Sequence, residues 1–205
     1  MILLVYNKYE RLFERQISLT TDKDIIKEIK HDRLTAFKTI LNDYEFRLFQ
    51  LVNSLICHYQ DAEDVTQEVF IKVYQNLHTF DGRSSLYHWI SRIARNQCLN
   101  YLNRKSLIRF MSMEWFFSVK NIDFQDHSSL SQLVENAEQK EQMKLFYTAL
   151  KKLPYKHREI LVLSEIQDMA YKDISVFLQI SEGTVKSRLS RAKKRLKEVL
   201  KDVKI

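Results

Sequence analysis

The stretch Ser181-Glu-Gly-Thr-Val-Lys-Ser-Arg-Leu-Ser-Arg-Ala-Lys-Lys-Arg-Leu-Lys197 settles the fold class of this chain. Val185, Leu189, Ala192 and Leu196, with Leu200 beyond them, keep helical spacing, so one face of a helix is apolar and turned inward. At about 100° per residue, Ser187, Arg191 and Lys194 point away from that stripe. Thr184 and Ser190 lie near it, and Lys186 and Arg188 flank it on opposite sides. Long cations neutralise phosphates, Arg forks onto guanine, and short hydroxyls permit close approach to bases or backbone. From Ser181 to Lys204 nine Lys or Arg stand against three acids, six of the chain's seven units of net positive charge. A field confined to one helix points to a local polyanion contact, nucleic acid first. A solvated, lysine-rich terminal helix is the alternative.

Immediately upstream, Ile174, Phe177, Leu178 and Ile180 can fasten a short helix, Tyr171–Leu178, against the same stripe, and Ser181 supplies an N-cap. The product is a helix-turn-helix whose second helix is set to enter a major groove. Gln179 occupies the turn position where glycine would adopt a left-handed conformation more comfortably, with an expected strain of up to ~1 kcal/mol.

The 205 residues suffice for one domain or two small ones. Two Gly and one Pro are too few for the turns of a β-rich protein, so composition favours helices. Cys57 and Cys98 form no CxxC or Cys/His cluster, which fits a reducing compartment. The opening Met1-Ile-Leu-Leu-Val is too short for a signal-peptide core, and no run approaches a membrane span. The expectation is a cytoplasmic protein without membrane insertion.

Residues 1–27 receive no function. From Asp32, Leu34, Phe37, Leu41, Tyr44, Leu48, Leu51 and Leu55 recur at spacings of three and four and predict a helix. A second helix is expected to open near Asp61, capped by its carboxylate, with Val65, Val69, Val73 and Leu77 on its packing face. Thr79 to Ser85 interrupts the periodicity, and Gly82 supplies backbone angles closed to other residues. Ser84 or Ser85 then caps a third helix to about Asn103. Regularity weakens from Arg104 to about Gln139, where Met111, Met113, Trp115, Phe116 and Phe117 form an apolar patch that should dock on a surface of this protein or of a partner. Helical spacing resumes at Glu138, and Pro154 breaks one helix or starts the next. The fold class is all-α: two small helical domains, the C-terminal one with a helix-turn-helix, joined by a partly apolar linker.

Three stretches, in order, resemble bacterial extracytoplasmic-function (ECF) sigma factors of the sigma-70 family, the two-domain specificity subunits of RNA polymerase. They are Asp61-Ala-Glu-Asp-Val-Thr-Gln-Glu-Val-Phe-Ile-Lys-Val-Tyr74, Phe80-Asp-Gly-Arg-Ser-Ser-Leu-Tyr-His-Trp-Ile-Ser-Arg-Ile-Ala-Arg-Asn96 and Gly183-Thr-Val-Lys-Ser-Arg-Leu-Ser-Arg-Ala-Lys193. The resemblance covers about residues 28–103 and 138–200. It implies an N-terminal extension over 1–27, a region 2-like domain over 28–103 for core polymerase and the −10 element, a linker over 104–137, and a region 4-like domain over 138–205 for the −35 element.

The resemblance further implies that Asp61, Glu63, Asp64, Gln67 and Glu68 dock the polymerase. Phe80, Arg83, Ser84, Ser85, Arg92, Arg95 and Asn96 would read single-stranded −10 DNA, although Phe80 and Trp89 can equally be core. Thr184, Lys186, Ser187, Arg188, Arg191 and Lys193 would read duplex −35 DNA, with helix phase favouring Arg191 and Ser187 over Arg188. The expected partners are core RNA polymerase and promoter DNA, with an anti-sigma factor as a candidate. The function implied is promoter-specific transcription initiation, without catalysis. The alternatives are a standalone helix-turn-helix regulator or a sigma-like protein that sequesters an anti-sigma factor. The six histidines show no metal-ligand spacing, and no phosphate loop or nucleophile motif is present, so neither metal nor cofactor is expected. Asp61 to Asp64 lacks an organised Mg²⁺ ligand set.

Overall fold

The computed structural model describes residues 22–116 and 137–203, and these are helical almost throughout. The first unit contains α1 (Asp22–His31), α2 (Arg33–Ile56), α3 (Tyr59–Asn76), a 3₁₀ turn (Leu77–Thr79) and α4 (Leu86–Phe116). The second contains α5 (Ala137–Lys152), α6 (Tyr155–Leu161), a π-helical turn (Val162–Ile166), α7 (Tyr171–Leu178) and α8 (Glu182–Val203).

Local chemistry accounts for most of the boundaries. Asp32 caps α2, its carboxylate accepting from the backbone N–H groups of Leu34 and Thr35. The helix ends where Cys57 turns left-handed at φ 57°, its N–H returning to the Asn53 carbonyl. α3 starts two residues earlier than the expected opening near Asp61, and its cap is His58, whose Nδ1 accepts from the Asp61 N–H at 3.3 Å. Asp61 therefore sits inside the first turn. Ser85 precedes α4 and accepts through its Oγ from the His88 N–H at 3.2 Å. With neither Gly nor Pro between Leu86 and Phe116, α4 does not stop near Asn103 but runs for 31 residues. The first part of the expected linker is thus helical backbone. The side chains of the Met111 to Phe117 patch lie outside the described residues, as do residues 1–21.

Pro154 stands at the N-cap of α6 with φ −53°. Gln179 takes φ 55° and ψ 47° between α7 and α8, the left-handed conformation its position demanded. Gly82 lies at φ 76°, and a Cβ there would meet Ile26 Cδ1 of α1 at 2.7 Å. α1 also contributes Asp22, whose carboxylate accepts from the Leu86 N–H at 3.0 Å. It thereby satisfies a second N–H of the first turn of α4, beside the one that Ser85 accepts.

In the first unit α2, α3 and α4 pack on one another around Leu48, Leu51, Leu55, Val69, Leu77, Leu86 and Ile90. In the second, α5, α6 and α7 pack around α8 through Phe146, Leu150, Ile160, Ile174, Val185 and Leu189. Each large aliphatic or aromatic side chain buried in this way stabilises by about 1.5–3 kcal/mol before entropy is counted. The C-terminal half of α2 also touches α5, α6 and the π-helical turn, so the buried side chains of both units form one continuous cluster. Among the described residues no helix is long and apolar enough to cross a membrane.

Candidate polymerase and nucleic-acid interfaces

Three surfaces carry the residues singled out from the sequence. On α3, Glu63, Asp64 and Gln67 are exposed. Asp61 and Glu68 instead lean on α4: Asp61 Oδ2 accepts from Lys105 Nζ at 2.6 Å, and Glu68 Oε2 lies 3.4 Å from Arg104 Nη2. Burial pushes the Asp61 carboxyl up, but hydrogen bonds from Lys105 and Tyr101 with the charge of Lys105 outweigh it, leaving Asp61 below the usual carboxylate range. Between α3 and α4 runs a groove of about 630 Å³, lined by Glu68, Ile71, Lys72, Asn100, Arg104 and Leu107. Ile71 and Leu107 are 57% and 62% exposed there. An apolar surface of this kind within an amide-bearing rim of mixed charge suits a protein partner.

The second surface is the loop before α4 and the helix itself. Phe80 is only 6% exposed and packs at a tilt against Trp89, ring centroids 5.6 Å apart. It forms a floor beneath the loop. Arg83 and Ser84 stand in solvent, with Arg83 Nε 3.0 Å from Asp81 Oδ2. Ser85 is spent on capping α4. Asn96 and Arg92 are exposed, Arg92 lying 5.9 Å from the Phe177 ring of α7. Arg95 is mostly covered, and its Nε donates to Glu159 Oε1 of α6 at 2.7 Å. The structure thus brings Phe80 to Ser85 together at one end of α4 and turns Arg92 and Arg95 towards the second unit.

The third surface is α8. Val185, Leu189, Ala192 and Leu196 are buried, while Lys186, Ser187, Arg191 and Lys194 are exposed. Ser181 caps the helix, its Oγ accepting from the Thr184 N–H at 3.2 Å and pairing with Thr184 Oγ1 at 2.8 Å. Arg191 Nε donates to the Ser187 carbonyl at 3.3 Å, so the guanidinium lies back over Ser187. Thr184 and Arg188 are half-buried. Lys193 is held by Glu165 of the π-helical turn at 2.8 Å, which partly neutralises it. Facing α8 from α6, His157 is kept below the usual histidine range by burial first, then by Arg195, Arg191 and Arg188.

Sequence reasoning missed several of these partners. Asp22 and Ile26 belong to a segment that carried no motif, and Glu159, Gln167 and His157 are single polar residues on helices read only for their apolar positions. Among the described residues no group of three or more His, Cys, Asp or Glu is placed to hold a metal ion.

Comparison with known proteins assigns both halves. Residues 40–108 match the sigma-70 region 2 model, and residues 143–196 match the sigma-70 region 4 model, together more than half of the chain. The RNA polymerase sigma-H factor of Pseudomonas aeruginosa is 28% identical over 188 residues, covering 87% of this chain and 93% of that protein. The ECF sigma factor SigW of Bacillus subtilis is 28% identical over 188 residues, covering 88% and 97%. The fold is shared with the sigma factor RpoE of Bartonella quintana, solved with the anti-sigma factor NepR (TM-score 0.59, 24% identity, 85% of this chain and 98% of that one). It is shared also with CnrH, solved with the cytosolic domain of CnrY (TM-score 0.62, 22% identity, 88% and 97%). With region 2 in its first helical unit and region 4 in its second, the chain belongs to the sigma-70 family as an ECF sigma factor, an initiation factor that binds core RNA polymerase and recognises promoters rather than an enzyme.

Proposed function

We propose a division of labour among the three surfaces. Glu63, Asp64 and Gln67, with Asp61 and Glu68 behind them, dock core polymerase along α3. Phe80, Arg83, Ser84, Ser85, Arg92, Arg95 and Asn96 recognise and trap melted −10 bases. Thr184, Lys186, Ser187, Arg188, Arg191 and Lys193 read the −35 duplex, α7 and α8 acting as a helix-turn-helix. Residues 28–103 and 138–205 are then the working units and 104–137 the connector. The chain makes and breaks no bonds. Polymerase and DNA contacts, together with capture of unpaired bases, offset the base stacking lost on opening. The site of action is the bacterial cytoplasm, and an anti-sigma factor, the partner with which the RpoE relative was solved, is the proposed negative regulator.

The observation that carries this reading is the division of α8 into a fully buried stripe and an exposed face of Lys186, Ser187 and Arg191. A helix that presents Lys186, Ser187 and Arg191 opposite its buried stripe can enter a major groove without unpacking. Within that face Arg191 and Ser187 act as a pair, while Lys193 sets affinity more than sequence because Glu165 shares its charge.

Reconstituted transcription with core polymerase over a randomised promoter library tests the assignment. Arg191→Ala should relax selection at one −35 position by about 1–3 kcal/mol, and Lys186→Ala should weaken all promoters alike and flatten the salt dependence. Unchanged −35 selection by the Arg191 variant removes that residue from the specificity set.

A further inference from the structure

Two helix N-termini meet at one carboxylate. Asp22 lies in the first turn of α1, and its Oδ2 also accepts from the Leu86 N–H at the opening of α4, at 3.0 Å across 64 residues of sequence. Ile25 is 2% exposed, within the core that α1 shares with α2, and Ile26 occupies the space under Gly82 that a Cβ would enter at 2.7 Å. Burial first, and then the Asp22 charge, push the Tyr44 phenol of α2 up, which sets Asp22 at the junction of α1, α2 and α4. The other side-chain acceptor at this end of α4 is Ser85, whose Oγ takes the His88 N–H at 3.2 Å. A serine hydroxyl that accepts in this way keeps its own proton to donate. Arg83, Ser84 and Ser85 are exposed, so the loop offers guanidinium and hydroxyl donors next to a negative charge.

We propose that Asp22 is a specificity-determining residue of −10 recognition: it fills the anion-attracting start of α4 with the chain's own carboxylate, so that the Phe80–Ser85 loop admits an unpaired base and turns a phosphate away. This rests on the −10 assignment made above. Single-stranded DNA presents a phosphate at every link and a base at every sugar, and only the base carries sequence. The first turn of a helix carries roughly half an elementary charge and N–H groups without helical partners, and it draws any anion within reach. Left open beside Arg83, it would hold the backbone of any strand equally well. With Asp22 in place the positive end is answered from within, and a phosphate approaching Leu86 meets a like charge instead of a donor. A base is uncharged and loses nothing by the exchange. Ser84 and Ser85 still offer donors to its edge, and Phe80, 6% exposed, lies beneath the loop as an apolar floor. A neutral acceptor at position 22 would cap α4 as well, so the cap alone does not explain the charge.

The test compares holoenzymes assembled from the full wild-type chain and from Asp22→Asn, whose amide oxygen still accepts from the Leu86 N–H. The probes are a −10 single strand selected by the wild type from a randomised pool, and the same strand with abasic sugars in place of its bases. Asp22→Asn should bind the abasic strand about fivefold more tightly, the order of one charge at a helix terminus. Its plot of log affinity against log salt should steepen by about 0.7, one added phosphate contact, and its preference for the base-bearing strand should fall by the same fivefold. Asp22→Glu, which keeps the charge, should retain wild-type selectivity. Asp24→Asn, an equal charge change at an exposed position of α1, should move neither quantity. Asp22→Ser, also an uncharged acceptor, repeats the test if the Asn variant folds poorly. Abasic affinity and salt slope unmoved in the uncharged variants, while Arg83→Ala still weakens the −10 strand, overturn the role of Asp22 alone. Weaker binding of both strands at an unchanged slope marks a purely structural cap and overturns it too. If neither Arg83→Ala nor Asp22→Asn alters −10 binding, the −10 assignment falls and the role of Asp22 with it.

Discussion

Gln179→Gly isolates the backbone feature that sets the angle between α7 and α8. Gln179 sits at φ 55° and ψ 47° with an exposed side chain, and the bonds that close the turn are backbone ones: its own N–H and that of Ile180, at 3.0 Å for Ile180, both reach the Ser175 carbonyl. A non-glycine residue in this conformation costs about 1–2 kcal/mol, somewhat above the ~1 kcal/mol expected from the sequence alone. Glycine removes that cost but makes the unfolded chain freer by about 0.5–1 kcal/mol. The difference is a net stabilisation of about 0.5–1 kcal/mol, or roughly 1–4 °C in Tm for a chain of this size. Urea unfolding should show a higher midpoint at unchanged slope. Gln179→Ala keeps the strain and discards only an exposed side chain, so it should stay within about 0.5 kcal/mol of wild type. Because the turn geometry is preserved, −35 binding by the glycine variant should be unaltered. A glycine variant no more stable than the alanine variant refutes the argument that this turn is strained.

Two further outcomes follow from the same geometry. Gly82→Ala introduces a Cβ at φ 76° within 2.7 Å of Ile26 Cδ1; a loss of about 1–2 kcal/mol is expected, with faster amide exchange at Leu86 as α1 is pushed off its contact. Retained stability and protection would show that α1 does not brace the loop. His157 should titrate below the usual histidine value of about 6.5 in an NMR titration, and Arg195→Ala should raise it by removing one of the neighbouring charges. With the folded value depressed, the unfolded chain takes up the proton first, so the contribution to stability is present above the unfolded value and is lost as pH falls through it. Titration at or above the usual value contradicts the placement of His157 against the cations of α8.

α1 braces the Phe80–Ser85 loop through Asp22 and Ile26, and α6 with the segment that follows it meets the adjoining helix through Glu159 and Gln167. Both act on the same stretch of α4.

The all-α class, the phase of α8, a serine cap for α4 at Ser84 or Ser85, the positive φ at Gly82 and the left-handed turn at Gln179 were legible in the amino-acid sequence, and so was the family. Each depends on neighbours within about one helical turn, where side-chain spacing and backbone preference act directly. The cap of α3 and the end of α4 were misjudged because Asp61 and His58 compete for one position, and because nothing in residues 104–116 breaks a helix that periodicity alone leaves faint. What only the tertiary structure decided is which polar residues meet. Arg95 and Glu159 are 64 residues apart, Tyr87 and Gln167 are 80, and Arg158 and Cys57 are 101. No spacing of three or four encodes such pairs. They arise from how two amphipathic units bury their remaining apolar faces against each other.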